Sequence, residues 1–465
     1  METAKANKNQ SLPPRQRKKS EAGQEKRKTE FSNNFESLNL NIHGVRLPKF
    51  EIQDEYLELI DNPEKVKDTY DFLIALCQKG FKKLGIKRGT EKHKKYVERI
   101  HYELDILKEL GFVDYILLVW KVIYFCKTSD IPVGLGRGSA AGSFVLYLLG
   151  VTKIDSVKYD LFFERFVSKI RAKKKVVDGV TYLDGSLMCD IDMDVCYYKR
   201  KDVLKYLEKE FQGKTSKIRT LNTLSGKLVM KECGKTVEDK SETEMNHVSA
   251  MIPKVFGQVK DISEAYDEVD DFKNWCDNNP RTFETAQKIK GLVKNKGVHP
   301  SAILLSYDDI VKSCPIELDS DKEKISAYNM DWSQMFNVKL DVLGLRTVSV
   351  VDQACKFIGI NVEDIDLDHE SIYQNLYDLK QPHGIFQVEA RANYEVCKKV
   401  KPKNLEELSA VLALARPGAM QFTDQYANYT NNDTYEVIHP YFDDILGSTG
   451  GVCLYQEQMM KMAHK

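Results

Sequence analysis

The chain has no surplus of charge: its 69 Lys and Arg balance 69 Asp and Glu over 465 residues. It also lacks any uncharged apolar run near the ~20 residues of a membrane-spanning helix. Its most apolar stretches, Tyr115–Cys126 (interrupted by Lys121) and Phe144–Val151, read as core helices. The N-terminus is polar and basic without an apolar h-region, which argues against a secretory leader. Ten cysteines are present, yet none forms a CxxC pair and their spacing is irregular. This excludes a disulfide framework or a zinc ribbon and predicts buried thiols in a reducing compartment, as in Leu76-Cys77 and Val452-Cys453-Leu454. His299 has no His or Cys nearby, so metal-ligand spacing is missing there too. No internal repeat is present. Taken as a sum, zero net charge argues against binding nucleic acid. The sum conceals a sorted distribution, however. Acids gather at Asp190–Asp194, and bases gather in the first 45 residues, at 169–175 and in the helical stretch Tyr197–Phe211. Phosphate backbones respond to local patches rather than to the total.

At about 150 residues per domain the length implies roughly three domains, and the 42% hydrophobic content suits a globular chain. Residues 1–45 are too poor in large apolar groups to offset their ordering entropy and predict a disordered basic tail (Arg15, Arg17, Lys18, Lys19, Lys26, Arg27, Lys28). Asn62-Pro63-Glu64 reads as a helix start, followed by Val66, Tyr70, Leu73, Ile74 and Cys77 at helical spacing. A second helix is predicted over 96–110, burying Val97, Ile100, Leu104 and Leu107 and stopping at Gly111. A third covers Tyr115–Cys126. The extended run Ile131–Val133 leads into a Gly-rich turn, Gly134–Ser143, which overlaps an apolar helix from about 140 to 149. A basic loop at 169–175, a strand at 190–195 and an amphipathic helix over Tyr197–Phe211 follow. Residues 222–298 read as polar and mostly helical, Ala302–Ser306 and Val338–Leu343 as strands, and the remainder from 347 as mainly helical.

Three segments carry chemistry. In Asp190-Ile191-Asp192-Met193-Asp194 a strand would put all three carboxylates on one face, which is costly unless a cation sits among them. Hard divalent cations such as Mg²⁺ take such oxygen ligands together with substrate phosphates; the alternative is a solvated edge strand. The Gly-rich turn ending in Gly138-Ser139 would let backbone N–H groups approach a phosphate, with Arg137 adding a charged fork. It is neither a P-loop nor a dinucleotide fingerprint, and the alternative is a flexible connection packed on a helix. In Val338–Thr347, Asp341 interrupts an apolar strand and needs a partner, either Asp190 and Asp192 around a cation or Lys339 or Arg346 in a salt bridge. Together the three segments point to two-metal phosphoryl or nucleotidyl transfer.

In these segments and several others the chain resembles the family C replicative polymerases, the bacterial DNA polymerase III alpha subunits. Val133–Ser143 is similar to that family's V-G-x-G-R-G-S-x-A-G-S, and Leu161–Phe166 to its L-x-F-E-R-F. Cys189–Val195 is similar to P-D-x-D-x-D-F, with Cys189 for Pro and Val195 for Phe. Gly297-Val298-His299, Val338–Thr347, Phe386–Glu389, Arg416-Pro417-Gly418 and Leu454–Gln458 follow in the family's order. The resemblance covers about residues 46–465. It implies an α+β fold, a polymerase-beta-like nucleotidyltransferase palm with a helical thumb and partial helical fingers. The palm would span 46–221 and 299–346, the thumb 222–298, and incomplete fingers 347–465.

The resemblance further implies Asp190, Asp192 and Asp341 as catalytic, Mg²⁺-binding carboxylates, with Asp194 a weaker candidate. Arg137, Gly138 and Ser139 would hold the incoming triphosphate. Lys339 and Arg416 would contact nucleotide or DNA phosphate, each with an ordinary salt bridge as its alternative. The implied partners are primer–template DNA and dNTPs, with no membrane, in the cytoplasm of a bacterium or phage-infected cell. The family's PHP domain is replaced by the basic tail, the segment from Arg165 to Asp190 is longer than usual, and the chain stops soon after Tyr455–Gln458. A second chain carrying the rest of the fingers is therefore a further expected partner. The competing expectations are an inactive or partner-dependent fragment and a DNA-binding module without catalysis. No exonuclease motif set is visible, which predicts no proofreading.

Overall fold

The computed structural model describes residues 43–465 apart from Arg171, Phe256, Gly257, Ser320, Asp321 and Asp368, so the expected tail lies, but for residues 43–45, outside the described residues. The strands are β1 (Lys174–Val177), β2 (Val180–Leu183), β3 (Asp192–Cys196), β4 (Thr215–Thr223), β5 (Lys254–Val255), β6 (Gln258–Val259), β7 (Val293–Leu305), β8 (Ile316–Leu318), β9 (Lys324–Asn329) and β10 (Val338–Leu345). Six of them form one mixed sheet in the order β3-β10-β7-β4-β9-β8, while β1-β2 and β5-β6 are separate two-stranded ribbons. β10 runs parallel to β3 and antiparallel to β7, and β4 runs antiparallel to β7.

Period-two alternation decides which residues the sheet buries. Ile191, Met193 and Val195 just before and on β3, and Val338, Leu340 and Val342 on β10, are all at most 2% exposed and belong to the main core. Asp192, Asp194, Lys339 and Asp341 occupy the intervening positions. Helices Thr69–Lys83, Glu91–Leu110, Val113–Thr128 and Phe144–Leu148 contribute to the same core. Val113–Thr128 is the central one, with eleven of its sixteen residues buried. At about 1.5–3 kcal/mol for each fully buried large aliphatic side chain, this contact between helices and sheet is what fixes the sheet edge.

The described residues between β4 and β7 fold into five helices with a core of their own, including Val229, Met230, Met245, Phe272 and Ala286. β4 and β7 run on past residues 222 and 298 into this insertion, pairing as far as Thr223 with Val293. From Arg346 onward the chain is helical around a third core containing Tyr394, Cys397, Val411, Leu414 and Tyr426.

Several local expectations are corrected. Asn62 and Pro63 open only a 3₁₀ turn, Pro63–Lys65; the helix begins at Thr69, where Asp68 caps it by accepting from Asp71 N–H at 2.9 Å. The second helix begins at Glu91, because Thr90 caps it, and it buries Tyr96, Glu103 and Ile106 besides Leu104 and Leu107. The helix expected over 140–149 is a 3₁₀ segment, Gly138–Gly142, broken at Ser143, which caps Phe144–Leu148. The loop at 169–175 enters a hairpin, because Asp178 (φ 49°) and Gly179 (φ 75°) supply the left-handed turn. β7 starts at 293 rather than 302. All ten cysteines are free; nine are buried, but Cys453 is exposed despite its apolar neighbours. Among the described residues no helix is long and apolar enough to cross a membrane.

Candidate active site

The parallel register places Asp341 of β10 beside Asp192 of β3, and Asp190 lies two residues before Asp192 on the same run. Ligand oxygens of Asp190, Asp192 and Asp341 lie within 4.8 Å of one another, with Asp190 exposed, Asp192 part-buried and Asp341 buried. This juxtaposition of residues about 150 positions apart depends on β3 and β10 being neighbours. Beneath it, the buried Tyr115 hydroxyl donates to the Cys189 carbonyl at 3.2 Å and anchors the chain just before Asp190. Arg200 donates to the carbonyls of Val342 (2.6 Å) and Ser301 (3.1 Å), tying β10 to β7.

The charges are unequally matched. Lys339 is the only cation paired with Asp190 or Asp341 among the described residues; its Nζ lies 2.8 Å from Asp341 Oδ2 and 3.3 Å from Asp190 Oδ2. The salt bridge considered for Asp341 is therefore present, whereas Arg346 lies over the Tyr197 ring at 5.1 Å. Desolvation, with Asp341 and Asp192 close by, outweighs Lys339 and raises the Asp190 carboxyl above its ordinary range. Desolvation and Asp341 likewise raise Asp192 against the pull of Arg137. Burial opposes the charge on Lys339, but its hydrogen bonds to Asp341 and its proximity to Asp190 prevail and raise it. Three carboxylates beside one ammonium form an all-oxygen donor set with an electrostatic deficit, which suits a hard divalent cation.

Asp194 stands apart from the three. Its Oδ1 is buried without a hydrogen bond, and Arg137 lies 3.9 Å away. Arg137 also lies 3.9 Å from Asp192. The Gly-rich turn thus lies against β3: Gly134 N–H donates to the Asp194 carbonyl at 2.8 Å. Gly138 has φ +64°, and a Cβ there would sit 3.3 Å from Asp192 Oδ2, so a side chain would be strained and would crowd the carboxylate. Ser139, Arg165 and Asp190 share the lining of a cavity of about 210 Å³. Arg416 is exposed just past the helix Leu405–Leu414, and among the described residues no side-chain hydrogen bond or ion pair joins it to the other predicted site residues.

Reading the sequence misses the residues that hold the turn. Glu103 is fully buried and accepts from Ser143 Oγ (2.8 Å), Phe144 N–H (2.9 Å), Val145 N–H (2.9 Å) and Arg99 Nε (2.6 Å). Arg99 in turn donates to the carbonyls of Gly142 (2.7 Å) and Leu161 (2.9 Å). The available signal was an acid on the apolar side of a helix, three residues after Ile100 and beside Leu104. His299 has a structural role on β7, its Nδ1 accepting from Ala302 N–H at 2.9 Å.

The chain is similar to known proteins over most of its length. Residues 71–344 match the family described as the bacterial DNA polymerase III alpha NTPase domain, and residues 347–465 match the bacterial DNA polymerase III alpha subunit finger domain. DNA polymerase III subunit alpha of Staphylococcus aureus (strain MRSA252) is 33% identical over 380 residues, covering 79% of this chain and 34% of that protein. The subunit of the same name from Chlamydia trachomatis serovar D is 32% identical over 420 residues, covering 86% of this chain and 33% of its own length. The chain therefore spans about a third of the length of these curated relatives.

Proposed function

The chain belongs to the bacterial DNA polymerase III alpha family, and from that premise we propose that it is the core of a DNA-directed DNA polymerase, extending a primer 3′-hydroxyl with dNTPs. The observation that carries the reading is the convergence of Asp190, Asp192 and Asp341 beside the Gly138-Ser139 turn. In this reading the six-stranded sheet and its helices are the palm (46–221 and 299–346), the insertion 222–298 is the thumb, and 347–465 belongs to the fingers.

Asp190, Asp192 and Asp341 are the residues that would hold Mg²⁺. Bound there, Mg²⁺ supplies charge stabilisation for the attacking and leaving oxygens of an in-line displacement. The chain's own groups do the rest. Gly138, without a Cβ, and Ser139 let the triphosphate approach the backbone. Arg137, half-exposed between Asp192 and Asp194, offers a planar fork to a phosphate oxygen. Lys339 offsets part of the acidic charge on its side of the cluster and is placed to meet nucleotide or DNA phosphate. Asp341 is assigned to the primer 3′-hydroxyl, whose proton must leave as the phosphodiester forms. Arg416 is assigned to phosphate from the fingers side.

Primer extension by the purified chain tests the reading. Asp192→Ala should lower the rate on the order of a hundredfold or more, since several kcal/mol of charge stabilisation are removed. An unchanged rate in a folded variant contradicts it. Running the assay with and without a second chain carrying further fingers sequence separates a self-sufficient core from a partner-dependent one. DNA affinity that survives loss of all three aspartates, with no incorporation by the unaltered chain at any Mg²⁺ concentration, would instead mark a non-catalytic binding module.

A further inference from the structure

The β1-β2 hairpin is left unused by the site described above. It begins in the basic run that contains Lys169, Lys173, Lys174 and Lys175, and it ends at Leu183, seven residues before Asp190. It is firmly held at its base. Lys169 pairs with the Glu109 carboxylate, and Lys174 Nζ donates to the Glu109 carbonyl. That carbonyl belongs to the last turn of helix Glu91–Leu110, where helix carbonyls lack intrahelical partners. Val45 and Leu183 exchange backbone hydrogen bonds, each 2.8 Å, and Leu183 is 3% exposed.

The register sorts the hairpin into two faces. Lys174 lies opposite Leu183 and Val176 opposite Thr181, so these residues share the anchored face. Lys175, opposite Tyr182, and Lys173, one residue before the strand, belong to the other face. Both lysines are exposed, and neither has an ion-pair partner among the described residues. The Tyr182 ring lies 5.3 Å from the ring of His43, two residues before the Val45 bridge to Leu183.

The hairpin also borders the carboxylates. Ala172, adjacent to Lys173, lines the cavity shared by Ser139 and Asp190. A DNA end entering a cluster of three acids meets repulsion there, and the two uncompensated ammonium groups that follow Ala172 in the chain supply charge of the opposite sign.

We propose that this hairpin is a duplex-gripping element, with Lys173 and Lys175 contacting phosphates of the double-stranded part of the primer–template. The proposal rests on the polymerase reading and adds to it a surface and a form of DNA. Two phosphate contacts predict a salt slope of log K against log[salt] steeper by about 1.8 than without them.

The test is equilibrium binding of a labelled primer–template duplex, without dNTP, to the full chain and to its Lys173→Gln/Lys175→Gln variant over a salt series. A single strand of the same length and inorganic triphosphate serve as competitors, and primer extension is measured in parallel. The variant should bind duplex about tenfold more weakly at low salt, with a slope shallower by about 1.8. Its extension rate at saturating DNA should be unchanged, as should its competition by triphosphate. If the unaltered chain binds and extends primers while the variant shows the same affinity and slope, the hairpin proposal fails alone. Weakening confined to the single strand also overturns it. If the unaltered chain neither binds duplex nor extends primers, the polymerase reading fails, and the hairpin proposal with it.

Discussion

The two walls of the candidate site are built on opposite electrostatic plans. The Gly-rich turn is complete in itself: Glu103 accepts four hydrogen bonds and Arg99 clamps the carbonyls of Gly142 and Leu161. The facing wall is incomplete: three carboxylates converge with one lysine paired to two of them, and two of the acids are shifted toward protonation. One wall meets its buried charge with protein donors, and the other leaves its carboxylates with fewer cationic partners than charges. Burying a charge is tolerated where every lone pair is met, and it becomes a binding device where it is not.

The largest effect that would break this comparison is expected in the turn. Glu103→Ala strips the part-buried Arg99 and three further donors of their acceptor and should cost about 3–5 kcal/mol, as removing the buried member of an ion pair does. Chemical denaturation would show this. A loss below 1 kcal/mol would mean that the turn is held by other contacts.

A smaller, opposite effect is expected at the carboxylates. Because Asp190 and Asp192 are raised in the folded chain, the folded state retains protons that the unfolded state releases. Stability without metal should therefore be lost as pH rises above the unfolded Asp pKa of about 4 and through the folded values. In EDTA, Asp190→Asn/Asp192→Asn should flatten the fall of Tm with pH and melt above the unaltered chain at neutral pH. Identical pH profiles would show that the acids do not strain one another.

How much of this was legible in the sequence depends on how local the signal is. Asp190–Asp194 and the glycines of 134–142 are contiguous, and their chemistry could be read directly. Alternation separated Ile191 and Met193 from the acids correctly. That Asp341 meets Asp192 could be offered from the sequence only as one of two alternatives, because it depends on the parallel pairing of β3 with β10, which spacing does not report. The clamp was legible only as an acid out of place on an apolar helix face, for a related reason. Glu103 lies 40 residues before Ser143, and nothing in a helical pattern reports that a buried acid has found backbone N–H groups at the start of another helix. Asn62-Pro63 misled because a favourable cap and proline start a turn just as well, and the stronger Asp68 cap lay six residues on. Cys453 misled because apolar sequence neighbours do not ensure burial outside a regular element.

The account stands most directly on cation dependence at the incomplete wall. Thermal unfolding of the full chain should be measured in a Mg²⁺ series alongside Asp192→Asn and Asp341→Asn, because a ligand bound only by the folded state raises Tm with concentration. The account predicts a Tm that climbs with Mg²⁺ in the unaltered chain and a flattened response in each variant. An equal climb in all three would place cation binding elsewhere and contradict the assignment of Asp190, Asp192 and Asp341.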